Sequence, residues 1–192
     1  MKKYEGYEQA EAFTGEFDRL KPEGYICKIV DVKAEEKEYG TLLRIAFDIA
    51  EGDCKDYFRQ LYEKRKETLD EAKWPNGGMY YQIVREDDLR YFKGFMTSIE
   101  ESNPDYKWNW DEKTLRGKLF GGIFGEEEYE SNDGIIKTAV RCRFIRSVDT
   151  IRNGKFSIPP VKTLNKKDIT KTSAQNDFGS LLSESADDDL LF

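Results

Sequence analysis

Cations beside aromatic rings are the chemistry this chain offers in quantity. One set runs Tyr57-Phe58-Arg59, Tyr62, Lys64-Arg65-Lys66, then Trp74, Tyr80-Tyr81 and Arg85. A second comprises Arg141 and Arg143, with Tyr129 across a hairpin whose turn is Asn132-Asp133-Gly134, and Arg44 projects from an earlier strand. Guanidinium and ammonium groups track a chain of phosphates, and aromatic faces stack unpaired bases at roughly 1–3 kcal/mol per base. The candidate nucleic-acid contacts are therefore Arg44, Arg59, Tyr62, Lys64, Arg65, Trp74, Tyr80, Tyr81, Arg85, Tyr129, Arg141 and Arg143. Phe58, Trp108 and Trp110 are assigned to the core or its rim. Tyr62, Trp74, Tyr80 and Tyr81, beside bases and glycines, divide evenly between packing and stacking.

Catalytic chemistry has little to work with. The chain has no His, no C-x-x-C pair and no Gly-rich phosphate loop. Cys27, Cys54 and Cys142 are too far apart in sequence for a zinc site and read as reduced core residues. Glu126-Glu127-Glu128 hints at magnesium ligation in a nuclease, but neighbours on a strand point to alternate faces and do not converge on one ion. A non-enzymatic protein without cofactor or metal is expected, with a metal-dependent nuclease a distant third reading.

The charge balance is uneven along the chain. There are 31 Lys and Arg against 38 Asp and Glu, a formal charge of −7. Asp177, Glu184, Asp187, Asp188 and Asp189 account for five of those acids, so the remainder is close to neutral. Between Lys137 and Lys171 stand ten bases opposed only by Asp149 and Asp168. A basic block followed by an acidic tail divides the last third electrostatically. The opening Met1-Lys2-Lys3-Tyr4-Glu5-Gly6 has no apolar run behind it and no stretch reaches membrane-spanning length, so a cytoplasmic protein without membrane contact is expected.

The elements that would position these residues follow from periodicity. After a polar extension, with Phe13 and Phe17 as candidate anchors, Pro22-Glu23-Gly24 turns into a first strand over 25–33. Its apolar residues Tyr25, Cys27, Ile29 and then Val30, Val32 change face part-way, as a bulge gives. Leu43, Ile45, Phe47 and Ile49 alternate with Arg44, Ala46 and Asp48 in a second strand. A third strand is expected over 57–62, a loop ending Trp74-Pro75-Asn76-Gly77-Gly78, and a return strand over 79–84. Asp87 or Asp88 caps a helix with Leu89, Phe92, Phe95, Met96 and Ile99 at helical spacing, stopped by Asn103-Pro104. Gly94 within it is expected to serve close packing. A short helical turn capped by Asp111 and closed by Gly117 leads to strands over 118–129 and 135–148, with Gly121, Gly122 and Gly125 marking a bend or close approach. In the last strand Val140, Cys142 and Phe144 are expected on one face and Arg141 and Arg143 on the other. The reading is mainly β: three strands, one main helix and a long hairpin, the order of the five-stranded Greek-key OB-fold barrel. Other small barrels share it.

The chain ends Asp187-Asp188-Asp189-Leu190-Leu191-Phe192 after a polar, acidic stretch expected to be disordered. An acidic run, an apolar plug and a terminal carboxylate suit docking in a greasy slot rimmed by Arg or Lys. This tip resembles that of bacterial and phage single-stranded-DNA-binding proteins, departing from their usual Ile-Pro-Phe with Leu190-Leu191 before Phe192. Within the body, Phe17-Asp18-Arg19-Leu20-Lys21-Pro22-Glu23-Gly24-Tyr25, Phe92-Lys93-Gly94-Phe95, Glu100-Glu101-Ser102-Asn103-Pro104, Trp108-Asn109-Trp110, Leu115-Arg116-Gly117-Lys118-Leu119 and Gly125-Glu126-Glu127-Glu128-Tyr129 resemble a phage-borne family of such proteins. The resemblance spans about residues 17–152 and, with the tip, nearly the whole chain. It does not reach the core of the housekeeping bacterial protein, so tetramer assembly is not carried over and homo-oligomerisation stays open.

The resemblance implies sequence-independent single-stranded DNA binding in phage or mobile-element replication and recombination, inside a bacterial host. Residues 1–20 are read as an extension, 21–162 as the DNA-binding domain, and 163–192 as linker and tail. Asp187, Asp188, Asp189, Leu190, Leu191 and Phe192 would recruit replication or recombination proteins. The alternative is an adaptor that binds such proteins rather than DNA.

Overall fold

The computed structural model describes residues 19–131 and 133–164. The anchors Phe13 and Phe17, Asn132, most of the linker and the acidic tip lie outside the described residues. What is described is mainly β: an open five-stranded antiparallel sheet in the order β3-β2-β1-β4-β5, with three helices.

Strand β1 (Gly24–Lys37) pairs with β2 (Gly40–Ile49) from Cys27 opposite Ile49 to Lys37 opposite Gly40. Ile29 faces Phe47 and Asp31 faces Ala46, so Val30 is the extra residue of a β-bulge. The face change read from Val30 and Val32 is this bulge. Because side-chain direction has a period of two, the inserted residue keeps Cys27, Ile29 and Val32 in the core and turns Asp31 and Lys33 to the opposite face.

The expected third strand over 57–62 is instead the start of helix α1 (Tyr57–Thr68). Its aromatics resemble a strand, but the decisive contact is remote. Asp48 on β2 accepts the backbone N–H groups of Phe58 and Arg59 at 2.9 and 3.1 Å, satisfying two of the donors that a helix start leaves unpaired. Asp56, the residue before the helix, adopts φ 58° and gives no side-chain cap. Trp74 and a 3-10 turn (Asn76–Gly78) then lead into β3 (Met79–Val84), which matches the expected return strand.

Helix α2 (Arg90–Ser102) starts where Asp88 accepts the Arg90 N–H at 3.2 Å and buries Phe92, Phe95, Met96 and Ile99. The Asn103 amide donates to the Ile99 and Leu119 carbonyls, both at 2.8 Å, and its oxygen accepts the Leu119 N–H at 3.0 Å. The residue that stops α2 thereby fastens it to the next strand. A second 3-10 turn (Glu112–Leu115), capped by Asp111, precedes β4 (Leu119–Glu130).

Strand β5 (Ile136–Arg146) pairs with β4, and the short helix α3 (Val148–Arg152) follows where the strand was expected to continue to residue 148. Ile123 faces Phe144 and Phe124 faces Cys142, leaving Arg143 as a bulged residue. Cys142 and Ile145 remain buried, whereas Phe144 is 44% exposed. Phe144 was expected beside Cys142 on the core face; the extra residue turns it outward. After α3 the chain runs back along β4, where the Lys162 N–H donates to Glu126 O at 2.9 Å and the Glu128 N–H to Lys162 O at 2.8 Å.

The core centres on Phe47, whose ring meets Phe58, Phe120 and Phe124 edge-on at 5.5, 5.4 and 6.0 Å. Among the described residues no ladder joins the edge strands β3 and β5.

Candidate nucleic-acid interface

The face of β1–β3 opposite Ile45 and Phe47 is built in cross-strand rows. Lys33, Arg44 and Tyr81 lie side by side, and Asp31, Ala46 and Met79 form the next row. Tyr62 from α1 and Trp74 from the following loop stand beside Ala46, their ring centroids 5.4 Å apart. The Trp74 indole N–H donates to Gly78 O at 3.2 Å, which fixes the ring. Small Ala46 leaves room for an open groove of about 510 Å³ between these rings, Val30, Lys33 and Arg116.

The groove carries both charges at different depths. The Asp31 side chain is 11% exposed and ion-paired with Arg116, which is 59% exposed. The acid lies low and the guanidinium reaches toward solvent. Beyond Arg116 the depression continues along β1 for another 550 Å³, past Glu35, Glu112 and Lys113.

Arg44, expected as an outward cation, is only 4% exposed. Its Nε lies 3.1 Å from Glu35 Oε1, and Glu35 also holds Lys37 at 2.9 Å. Ala46 and Asp48 on the same face are equally buried, so β2 is covered on both sides. Arg44 is a buried, ion-paired residue rather than an outward cation.

Helix α1 and the hairpin supply two flanking groups. Lys66 lies 5.3 Å from the Tyr62 ring centroid and 3.3 Å from Glu63. Arg65 donates to Lys73 O at 3.5 Å; Arg59 and Lys64 are exposed on the same helix. Arg141 donates to Asn76 O at 3.3 Å, and its guanidinium lies 6.0 Å from the exposed Tyr129 ring. The 3-10 turn at Asn76 thus links the loop carrying Trp74 to β5.

Three expected contacts are placed elsewhere. Tyr80 stacks on Phe95 at 6.2 Å, and burial pushes its phenol well above the ordinary range, so it is a core residue. Arg143 is half-buried: a methyl at Gly125 would lie 2.5 Å from Pro159 and 3.4 Å from the Arg143 side chain. Arg85 is exposed at the turn into α2, bridged through its backbone to Asp88, outside the groove lining. Trp110, assigned to core or rim, is 71% exposed, whereas Phe58 is buried and Trp108 packs partly buried against the core as expected.

Sequence reading missed Asp31, Lys33, Lys113 and Arg116. The bulge signal at Val30 already implied that Asp31 and Lys33 turn outward. Nothing local marks Arg116, which follows a buried Leu115 and gains its role from the Asp31 pair.

Glu127 and Glu128 are engaged separately, Glu127 with Lys162 Nζ at 2.7 Å and Glu128 with the Leu164 N–H at 3.1 Å. Among the described residues no group of three or more acids or cysteines is arranged to hold a metal ion. No helix there is long and apolar enough to cross a membrane. No protein-family model matches the chain, and no curated protein matches it.

Proposed function

We propose that this protein binds single-stranded DNA without catalysis and with little sequence preference, in phage or mobile-element replication or recombination. The groove in which Tyr62 and Trp74 flank Ala46 and Arg116 stands above Asp31 carries this reading. It joins the half-buried Tyr62 ring, braced by the buried Trp74, to the outward cation Arg116, the pairing of ring and cation that non-specific single-strand binding needs.

The strand order supports an OB-fold assignment. In such a barrel β1 pairs with both β2 and β4, a helix follows β3, and the β2–β3 face carries the ligand. Here β1 has those two partners and α2 follows β3, while the strand residues lining the groove come from β1 and β2. The Arg141–Asn76 hydrogen bond ties β5 to the 3-10 turn that precedes β3. Recruitment of replication or recombination proteins is assigned to Asp187–Phe192, and the bacterial host cytoplasm is the compartment this role implies.

Titration with fluorescently labelled oligo-dT at several salt concentrations tests the reading. Binding should weaken as salt rises, with a slope of about −0.7 per phosphate neutralised. Equal affinity for duplex and single strand, or a flat salt response, overturns it. Absence of binding turns the assignment to the adaptor alternative.

A further inference from the structure

Trp110 is the most exposed tryptophan, and its backbone adopts φ 66°, a region that bulky side chains rarely occupy. Strained backbone persists where its surroundings enforce it, and such positions concentrate at ligand contacts. The surroundings here are specific. The ring lies 6.1 Å from Trp108 and 6.0 Å from Phe92, which is itself buried in the core. Glu100 accepts the Trp108 N–H at 2.9 Å, and Asn109 accepts the Asp111 N–H at 3.2 Å. An exposed indole is thereby held on a braced turn.

Its position relative to the groove gives it an occupant. The depression along β1 shares Asp31, Lys33 and Arg116 with the Tyr62–Trp74 groove and ends against Glu112 and Lys113. Asp111, next to Trp110, caps the 3-10 turn to which both belong, accepting the Lys113 N–H at 3.0 Å. Glu112 and Lys113, where the depression ends, follow Trp110 by two and three positions in the chain. Lys107, 80% exposed, is ion-paired with Glu100 at 3.1 Å, the carboxylate that also holds the Trp108 backbone.

We infer that Trp110 is a second base-stacking platform, extending the single-strand path from the Tyr62–Trp74 groove across Lys113 onto this exposed ring. The inference rests on the proposed DNA-binding function and adds a residue that the sequence reading placed in the core or at its rim.

The experiment uses the full chain and fluorescently labelled oligo-dT of about 4 to 16 nucleotides, the range of site sizes found for OB folds, read by polarisation. Trp110→Ala should leave the shortest binding oligonucleotide unaffected and weaken the longer ones by roughly 5- to 150-fold, the value of one stacked base. Trp110→Phe should restore most of the loss. Tyr62→Ala should weaken every length. A length-independent match between Trp110→Ala and the parent, with Tyr62→Ala impaired, overturns the platform and leaves the groove standing. Failure of the parent protein to bind any length overturns both. Cross-linking of the unaltered protein to oligonucleotides carrying 5-iodouracil needs no variant to fold: adducts at Trp110 with long but not short oligonucleotides support the path. Adducts confined to the groove overturn the inference.

Discussion

Asp48 on β2 accepts the backbone N–H of Phe58 at 2.9 Å, and through this contact a strand residue sets the start of helix α1. The same carboxylate takes the N–H groups of Ile49 at 2.9 Å and Arg59 at 3.1 Å. It lies on the covered face of β2, so the link between strand and helix is nearly dry. Tyr62 projects from that helix, and one wall of the groove therefore depends on a residue that does not line it.

Asp48→Ala should cost about 2–4 kcal/mol, since it removes the helix cap and takes the acceptor from three buried or partly buried N–H donors. Urea denaturation gives the value. Oligo-dT affinity of the folded fraction should also fall, because Tyr62 moves with α1. A loss under 0.5 kcal/mol would show that α1 forms without this contact.

The same carboxylate makes a pH prediction. Burial raises the Asp48 pKa above its ordinary value, against the pull of its three backbone hydrogen bonds. A carboxyl whose folded pKa exceeds its unfolded pKa contributes most below the unfolded value and loses that contribution as pH rises through the folded one. The stability advantage of the parent over Asp48→Ala should therefore grow as pH falls from 7 toward 4. Paired denaturation curves at the two pH values check this, and a shrinking advantage would reverse the assigned direction.

Two glycines should respond in opposite ways to Ala. A methyl at Gly94 in α2 meets no atom within 4 Å, so the expected close packing is absent, and Gly94→Ala should stabilise by about 1 kcal/mol. A methyl at Gly122 would lie 2.9 Å from the Phe124 ring, 3.2 Å from Cys142 Sγ and 3.3 Å from Cys27 Sγ. Gly122→Ala should therefore destabilise by about 1–3 kcal/mol through overpacking. Thermal melting of both variants is sufficient.

Arg141 and Arg143 should separate, although the sequence places them as equivalents. Arg141→Ala removes a surface contact to Asn76 and the cation beside Tyr129, so affinity should drop several-fold with a shift in melting of only a few degrees. Arg143 packs at Gly125 beside Pro159, so Arg143→Ala should lower the melting temperature more than it lowers affinity. Polarisation titrations and melts of the two single variants distinguish the roles, and identical behaviour would place both arginines at the surface.

The sequence by itself determined what depends on near neighbours. The alternation of Leu43, Ile45, Phe47 and Ile49, the face change at Val30, the α2 stripe from Phe92 to Ile99 and the Asp133-Gly134 turn each record a local period or backbone requirement, and all appear in the structure. Tertiary structure alone decided the rest. Tyr57–Thr68 is helical because Asp48, ten residues before Phe58, supplies the missing acceptors. Arg44 is buried between Lys33 and Tyr81 of the neighbouring strands and paired with Glu35, on a strand face that alternation marks as polar. Phe144 turns outward because a bulge at Arg143 resets the register, and a bulge is set by pairing with β4 rather than by β5 alone. The groove itself joins Lys33, Tyr62, Trp74 and Arg116, which lie on four separate segments, and only packing brings them to one surface.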